Sequence, residues 1–310
     1  EISLGLVGSE MCIRDSCMLI WRSFTHWIGG MGVLVFILCL LPLTGGYHMN
    51  LMKAESPGPS VSKLVPKVQS TAKILYTIYI ILTIVEIIFL LIGKMPLFDT
   101  LCLSFGTAGT GGFGVKNDSI ASYSTYNQVV ITVFMILFGI NFNAYYLLLT
   151  KKVMQAAKNE EVRYYLGIIG LAIVAIAINT REMFTSFGSA FQQAAFQVGS
   201  IITTTGYATT DFNVWPVFSK TILVILMFVG ACAGSTGGGI KVSRLLILCK
   251  SARKELQLYL HPNAVKKIKM DDKAIPHEVV RATNMFLFVY IMIFVTSLLI
   301  ISLDLSLIHI

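Results

Sequence analysis

The chain has 310 residues, of which 55% are hydrophobic and only 13% are charged, and its mean hydropathy is +0.75. Soluble domains carry about 25% charged residues, so this composition excludes an ordinary soluble protein and indicates a membrane protein. The net charge of +8 does not indicate nucleic-acid binding, because Lys and Arg cluster in three stretches. The six membrane crossings predicted below would place all three stretches on one side of the membrane, where short basic loops are typically cytoplasmic. These basic stretches are 53–73, 151–163 and 241–281.

The two ends of the chain differ in character from the rest. Residues 1–16 and 306–310 resemble translated sequencing-adapter sequence, and we exclude both from functional reasoning as non-native scars. The natural protein is therefore expected to extend beyond both ends.

Six nearly uncharged runs predict six membrane crossings, because a crossing helix needs roughly 20 apolar residues, with about 17 as a practical minimum. The runs are 27–43, 74–92, 128–149, 164–178, 221–233 and 284–303. The fifth is short and continues into a glycine-rich stretch, so this crossing is expected to be irregular.

Two segments of the chain repeat one order of elements: crossing, short apolar helix, glycine-containing turn, crossing. Both short helices lead into the pattern Thr-x-Gly-aromatic, with the aligned glycines Gly112 and Gly206 94 positions apart. Each short helix has about 10–14 apolar residues, which is too few to cross and typical of a re-entrant segment. Non-helical backbone at that depth survives only where it is buried in protein or lines a water-filled cavity. The repeat therefore predicts two pore loops, over 96–114 and 187–208.

The Thr-x-Gly-aromatic pattern suits a selectivity filter for a cation. Such a filter replaces the water around the ion with backbone carbonyl oxygens, and glycine adopts the unusual dihedral angles that this requires. The large aromatic residue is expected to wedge the turn against neighbouring helices. A tight extracellular turn is the alternative. The predicted filter residues are Thr110, Gly111, Gly112, Phe113, Thr204, Thr205, Gly206 and Tyr207, with the ion bound by the backbone oxygens of Thr110, Gly111, Thr204 and Thr205.

Two glycine-rich stretches imitate nucleotide-binding motifs without meeting their requirements. The stretch GTAGTGGFG at 106–114 has G-x-G-x-x-G spacing, but an apolar helix and not a strand precedes it, and Asp118 comes too early to bind a ribose. The stretch GSTGGGIK at 234–241 has Ile240 where a phosphate loop has lysine. Neither stretch predicts nucleotide binding.

The stretch at 230–239 contains five glycines inside the fifth predicted crossing. Glycine costs about 1 kcal/mol per position in a helix, so the helix is expected to break there, as discontinuous helices of transporters do. We interpret the break as a gate at the inner mouth of a pore, and close helix packing through small residues is the alternative. The predicted gate residues are Gly234, Ser235, Thr236, Gly237, Gly238, Gly239 and Lys241.

A few polar residues within or beside the crossings invite separate interpretations. Glu86 is an intramembrane carboxylate and so a candidate for transport, although its position near the outer end predicts contact with water. Asn141 and Asn143 are expected to bond neighbouring helices. His26 and Trp27 are expected to anchor the membrane interface.

Several motifs in order resemble one known family. They are WRSFTHWIGGMGVLVF at 21–36, KAESPGP at 53–59, the two Thr-x-Gly-aromatic segments, and GACAGSTGGGIKVSR at 230–244. Together they resemble the Trk/Ktr/HKT superfamily and, within it, the Trk-type potassium uptake membrane subunits. The resemblance implies an all-α membrane protein with four helix–pore loop–helix repeats around a pseudo-four-fold pore.

The same resemblance implies what the protein binds and where it acts. It implies potassium as the transported ion, with no other cofactor, and a homodimer in the lipid of the cell membrane. It also implies a cytoplasmic nucleotide-binding regulatory subunit of the RCK type, which would attach to the basic face.

Mapped onto this chain, the resemblance predicts two whole repeats and parts of two others. The predicted boundaries are 17–43 for the last helix of repeat one, 44–72 for a cytoplasmic loop, 73–150 for repeat two, 151–163 for a second loop, 164–248 for repeat three, 249–280 for a cytoplasmic segment and 281–305 for the first helix of repeat four. The filters of repeats one and four would lie outside the chain, which alone would not enclose a pathway.

Two other classes of protein compete with this interpretation. A secondary solute or sodium symporter would bind its substrate at the broken helix, but it would need inverted repeats, and these repeats are parallel. A membrane enzyme would need catalytic groups, and the crossings contain no paired carboxylates, metal-spaced histidines or activated serine. The six cysteines form no C-x-x-C pair and predict neither disulfides nor a zinc site.

Overall fold

A computed structural model shows that the chain is mainly helical. The structure describes residues 4–32, 68–261, 267–271 and 273–302. Most of the crossing predicted at 27–43, the motif at 53–59 and the segment 306–310 lie outside these ranges. The chain divides into two compact units, residues 1–242 and 243–310, and each is described by itself.

The first unit contains the two predicted pore loops and the helices around them. Its helices are α1 (Leu4–Gly30), α2 (Val68–Ile92), α3 (Leu97–Ala108), α4 (Thr125–Phe138), α5 (Phe142–Leu149), α6 (Val153–Ala157), α7 (Glu160–Asn179), α8 (Phe187–Ile202) and α9 (Val217–Val229), with 3-10 turns at Arg181–Met183 and Phe212–Val214.

The second unit is built mainly from two long helices. They are α10 (Val242–Leu260), which begins at the boundary between the units, and α11 (His277–Ser302). Between them lies a short antiparallel hairpin of β1 (Lys269–Met270) and β2 (Lys273–Ala274), in which Lys269 pairs with Ala274.

Among the described residues, three helices are long and apolar enough to cross a membrane. They are Ala72–Ile92 within α2, Glu160–Asn179 and His277–Ser302. A fourth span results if α4 and α5 are counted together. These spans coincide with four of the predicted crossings, and the fifth is confirmed as irregular because α9 ends at Val229, before the glycine-rich stretch.

The short helices α3 and α8 begin where their sequences predict. Pro96 directly precedes α3, where its missing N–H leaves no helical hydrogen bond unmade. Ser186 caps α8 by accepting a hydrogen bond from the backbone N–H of Ser189, at 3.2 Å. Ser186 is therefore the cap of α8.

Each short helix is packed in an equivalent group of longer helices. Helix α3 packs against α1, α2 and α4, and α8 packs against α7, α4 and α9. Each is thus enclosed by the crossing before it, the crossing after it, and one further helix from earlier in the chain. Since α4 contacts both short helices, it joins the two repeats.

The core between α2, α3 and α4 is rich in aromatic residues. Tyr79 is fully buried and makes edge-on contacts with Phe138 and Phe142 at ring-centroid distances of 5.8 and 6.3 Å. Glu86 is also fully buried, beside Thr107 of α3. The prediction that Glu86 reaches water is therefore wrong, because its face of α2 packs against the short helix.

The crossing predicted at 128–149 is not one straight helix. The chain bends by 91° between α4 and α5. Gly139 ends α4, and Asn141 caps α5 by accepting a hydrogen bond from the backbone N–H of Asn143, at 2.9 Å. A capping residue inside an apolar run explains why the helix restarts in a new direction.

Candidate functional site

The Thr-x-Gly-aromatic segments adopt the same unusual backbone conformation in both repeats. We call residues 110–113 the first turn and residues 204–207 the second turn. The φ angles of Thr110 and Thr204 are 51° and 60°, and those of Gly112 and Gly206 are 72° and 89°. Positive φ is uncommon for residues other than glycine, so its presence at both threonines indicates a conformation imposed by the surroundings.

Two hydrogen bonds of each turn also have a counterpart in the other turn. The backbone N–H of Gly111 donates to the carbonyl of Gly106 at 2.7 Å, and that of Thr205 donates to Ser200 at 2.9 Å. Each turn threonine donates its hydroxyl hydrogen to the carbonyl immediately before it, at 2.8 Å for Thr110 and 2.6 Å for Thr204. The repeat seen in the sequence is therefore a repeat of backbone geometry.

The two turns lie directly against each other. A Cβ added to Gly112 would fall 1.8 Å from the carbonyl oxygen of Thr205 and 3.3 Å from the Cα of Gly206. Only glycine fits such an approach of one backbone to another. The two turns are therefore in contact. Such contact is required if both turns bind the same ion.

The four carbonyl oxygens predicted to bind the ion accept no hydrogen bond from the described residues. Within the described part of the chain, no donor reaches the carbonyl oxygen of Thr110, Gly111, Thr204 or Thr205. A carbonyl oxygen that accepts no hydrogen bond from the protein can serve as a ligand to a cation.

The two aromatic residues of the turns have different surroundings. Tyr207 is 1% exposed and donates its hydroxyl hydrogen to the carbonyl of Leu103 in α3, at 3.3 Å. Phe113 is 54% exposed, and the Arg22 guanidinium lies over its ring at 5.0 Å from the centroid. The predicted wedging role therefore fits Tyr207 but not Phe113.

Helix α1 contributes side chains to the surroundings of the first turn. His26 stacks on Phe113 at 5.4 Å, and a Cβ added to Gly111 would fall 2.3 Å from its Nδ1 atom. Trp27 donates its indole N–H to the Thr83 hydroxyl at 3.2 Å. His26 and Trp27 are both half-buried and contact neighbouring elements of the protein.

The glycine-rich stretch forms a loop whose two ends meet. We call residues 230–239 the glycine loop. The backbone N–H of Ala231 donates to Gly238 at 3.3 Å, and a Cβ added to Gly230 would fall 2.8 Å from the Cα of Gly239. Gly230 and Gly239 both have positive φ, of 71° and 81°, so these two glycines allow the ends to close.

The glycine loop contacts the threonine of each turn. The Thr204 hydroxyl accepts a hydrogen bond from the backbone N–H of Gly238 at 2.7 Å, and the Thr110 hydroxyl lies 3.3 Å from the Thr236 carbonyl, to which it donates. The predicted gate residues thus adjoin the predicted filter residues. Lys241, which is 7% exposed, donates from its Nζ to the carbonyl of Gly237 within the same loop.

The glycine loop also occupies the bend between α4 and α5. The backbone N–H of Cys232 donates to Gly139 at 3.0 Å, that of Thr236 donates to Phe138 at 3.4 Å, and that of Phe142 donates to Gly234 at 3.0 Å. The ends of helices leave carbonyl and N–H groups without helical partners. Here the loop supplies those partners.

A buried carboxylate links the glycine loop to the bend. Glu161, at the start of α7, is 2% exposed and accepts hydrogen bonds from the backbone N–H of Ala233 at 2.6 Å and from the Asn141 amide at 3.1 Å. This confirms that Asn141 bonds a neighbouring helix. Glu161 gives no sign of this role in the sequence, because it lies within a basic stretch that is typical of a cytoplasmic loop.

An outer loop is tied to the start of the first short helix. The Tyr123 hydroxyl donates to the carboxylate of Asp99, in the first turn of α3, at 2.8 Å. Burial and the adjacent Asp99 raise the pKa of Tyr123 above its ordinary value, so the phenol stays protonated as a donor. A negative charge in the first turn also favours the helix dipole.

One known protein family matches nearly the whole chain. A family model named TrkH, described as a cation transport protein, matches residues 9–309. The chain belongs to the TrkH family. The TrkH family consists of membrane-embedded transporters, so the prediction that the protein is not an enzyme is confirmed.

Curated relatives within the TrkH family carry the same name. The chain is 34% identical over 287 residues to the "Trk system potassium uptake protein TrkH" of Salmonella typhimurium, and 37% identical over 290 residues to the protein of that name from Vibrio parahaemolyticus. In each case 91% of the chain is covered. The chain spans 59% and 60% of the two relatives, so it corresponds to about three fifths of their length.

A solved TrkH structure has the same architecture. The chain superposes on the crystal structure of the potassium transporter TrkH from Vibrio parahaemolyticus with a TM-score of 0.78 and 33% sequence identity. The match covers 92% of this chain and 59% of that one. The predicted family and the predicted fold class are both confirmed.

Proposed function

We propose that this chain is part of a protein that takes up potassium across the cell membrane. The observation that carries the proposal is the pair of turns, which have matching backbone geometry and adjoin at Gly112 and Gly206. Four of their carbonyl oxygens accept no hydrogen bond from the part of the chain that the structure describes. Two homologous turns supply half of the ligands that a four-fold filter needs. The other two filter segments would correspond to the two fifths of these relatives that the chain does not span.

The ion would be bound by the backbone oxygens of the two turns. Thr110, Gly111, Thr204 and Thr205 supply these oxygens, while Gly112 and Gly206 allow the turns to reverse direction. A weakly hydrated cation such as potassium suits a ring of neutral carbonyl groups, which replace its hydration shell without fixing it permanently. Phe113 and Tyr207 complete the filter segments, and of these two Tyr207 is the one buried against α3.

The glycine loop would gate the pathway on the cytoplasmic side of the filter. Its contacts with Thr110 and Thr204 support this role, because a closed loop would occupy the path of an ion that leaves the filter. Its glycines provide the conformational freedom to move. Lys241 adds a positive charge that would oppose cations at the inner mouth while the loop is closed.

The assembly around this chain follows from the family. We infer a homodimer in the cell membrane, with a nucleotide-binding regulatory subunit of the RCK type on the cytoplasmic side. The repeat boundaries at 73–150 and 164–248 and the partial repeats at 17–43 and 281–305 belong to the same proposal. The equivalent packing of α1 on α3 and of α4 on α8 supports the assignment of α1 to the end of repeat one.

The uptake proposal is tested in bacteria that lack their own potassium transporters. The gene completed at both ends should restore growth on low potassium and drive rubidium uptake. Gly206→Ser should then reduce the preference for rubidium over sodium, because its φ of 89° is strained for any residue with a side chain. Gly167→Ser is the matched control, since a Cβ at Gly167 meets no atom within 4 Å.

Two results would contradict the proposal. Failure of the completed gene to support rubidium uptake would remove the transport function. Equal rubidium and sodium uptake by Gly206→Ser and Gly167→Ser would remove the second turn from the filter.

A further inference from the structure

The glycine loop is held closed by groups outside the filter. Its backbone bonds to Phe138, Gly139 and Phe142 replace the helical hydrogen bonds that the bend between α4 and α5 interrupts. Movement of the loop would therefore leave these groups without partners. The stability of the closed loop thus depends on the bend as well as on the filter.

Glu161 and Asn141 extend this attachment through side chains. One oxygen of Glu161 accepts from the backbone of Ala233 in the loop, and the other accepts from the amide nitrogen of Asn141 at the bend. The carboxylate therefore bridges the loop and the bend. Hydrogen bonds to a charged acceptor are roughly twice as strong as those between neutral groups, which makes this bridge a strong individual attachment.

The orientation of Asn141 is fixed independently of Glu161. Its Oδ1 atom accepts from the backbone N–H of Asn143 at 2.9 Å, so its Nδ2 atom must face Glu161. An amide in place of Glu161 would bond Ala233 through its oxygen but would oppose its own NH₂ group to that of Asn141. The site therefore requires a carboxylate opposite an amide.

We propose that Glu161 and Asn141 are positioning residues that hold the glycine loop in its closed state, and that the loop opens when this bridge breaks. This inference rests on the proposed gating function of the loop. Neither residue lies in the turns that would bind the ion. Their loss should therefore change the fraction of time that the loop is open and leave ion selectivity unchanged.

Cys232 provides a natural reporter of loop position. It lies in the loop next to Ala233, is 0% exposed, and has a free thiol. Glu161→Gln should increase the rate at which a membrane-permeant maleimide labels Cys232 by about tenfold, as expected for loss of a hydrogen bond to a buried charged group. The exposed Cys249 serves as the internal standard for labelling.

A neighbouring carboxylate supplies the matched control. Glu160 precedes Glu161 on α7 and is more exposed. Glu160→Gln removes the same charge from the same helix turn and should leave Cys232 labelling unchanged. Rubidium uptake measured at low external potassium should rise in Glu161→Gln and not in Glu160→Gln, with the rubidium-to-sodium ratio the same in both.

An exchange of the two groups tests the bridge directly. Asn141→Asp should also expose Cys232, because it sets two carboxylates against each other. The double variant with Asn141→Asp and Glu161→Gln restores these three hydrogen bonds. The new carboxylate at the bend retains the cap on α5 and accepts from the new amide on α7, whose oxygen still accepts from Ala233. We therefore expect labelling in the double variant to return to within about twofold of the wild type, as full repair of the pair requires.

The outcomes distinguish this inference from the transport proposal. Unchanged labelling in Glu161→Gln, or a double variant that labels like the single ones, would overturn the inference. A single variant that does not fold would yield no monodisperse protein in detergent. In that case, folded protein from the double variant supports the bridge, and its absence contradicts the bridge. If labelling follows the prediction while no variant takes up rubidium, the bridge stands and the transport proposal falls.

Discussion

The second helices of the two repeats break at the same place but in different ways. Helix α4 ends after 14 residues and α9 after 13, in each case at a glycine, Gly139 or Gly230. In repeat two the chain resumes as a helix at Phe142, whereas in repeat three α10 begins only at Val242. The same interruption is thus a simple bend in one repeat and a loop in the other.

The two breaks act together. The bend in repeat two exposes backbone groups at the ends of α4 and α5, and the longer break in repeat three supplies their hydrogen-bond partners. A straight second helix in repeat two would offer no such groups, because its own turns would satisfy them. The bend in repeat two is therefore the site to which the glycine loop of repeat three binds.

The turns show the opposite relation between the repeats. Their backbone angles and hydrogen bonds correspond, while their side chains lie in different surroundings. The backbone angles of a turn that presents carbonyl oxygens to an ion can change little. Its side chains only need to fit the residues around that turn. Equivalent substitutions in the two turns should therefore have unequal effects.

The largest difference is expected between the two aromatic residues. Tyr207→Ala should lower the free energy of unfolding by about 3–5 kcal/mol, since it removes a fully buried ring. Phe113→Ala should cost only about 0.5–1 kcal/mol, because Phe113 is half exposed and loses only its contacts with Arg22 and His26. Denaturant unfolding in detergent, followed by tryptophan fluorescence, measures both; equal losses would show that the turns have equivalent surroundings.

The two turn glycines should differ by a smaller amount. Alanine at either position adopts an unfavourable positive φ, at a cost of about 1–2 kcal/mol. At Gly112 the new Cβ also meets the Thr205 carbonyl, whereas at Gly206 the nearest atom is 4.0 Å away. Gly112→Ala should therefore reduce rubidium uptake more than Gly206→Ala does, with Gly167→Ala as the unaffected control. A larger loss for Gly206→Ala would mean that the contact at Gly112 relaxes freely.

The smallest difference is expected between the two turn threonines. Thr204→Val removes a 2.7 Å bond to the loop and should weaken the closed state by about 1 kcal/mol. Thr110→Val removes a longer bond of 3.3 Å and should have a smaller effect. The rate of Cys232 labelling reports both, and a greater increase for Thr110→Val would reverse this ranking of the two contacts.

Much of the fold follows from local features of the sequence. The apolar runs, the short apolar helices and the glycine-rich break indicate the elements directly, because length and composition decide what can cross a membrane. The bend at 139–141 does not emerge in this way, since Asn141 sits inside an otherwise apolar run. The only local features that favour a bend are Gly139 and, two positions later, the capping residue Asn141. Each is a weak preference, and together they rarely determine where a helix ends.

The roles of single polar residues depend on neighbours distant in the chain. Position along the predicted crossings places Glu86 near water. Instead, the packing of α2 on α3 buries Glu86. Glu161 has no such signal, because the N–H group that it binds lies 72 residues further along the chain.

Hydrophobic length and glycine spacing act locally, so the amino-acid sequence alone is enough to predict a helical membrane protein with two copies of one turn. It is not enough to predict that the glycine loop docks at the bend or that Glu161 bonds the loop. Those contacts appear only in the folded chain, since they join residues far apart in sequence and their energies depend on distances and burial that no local pattern encodes.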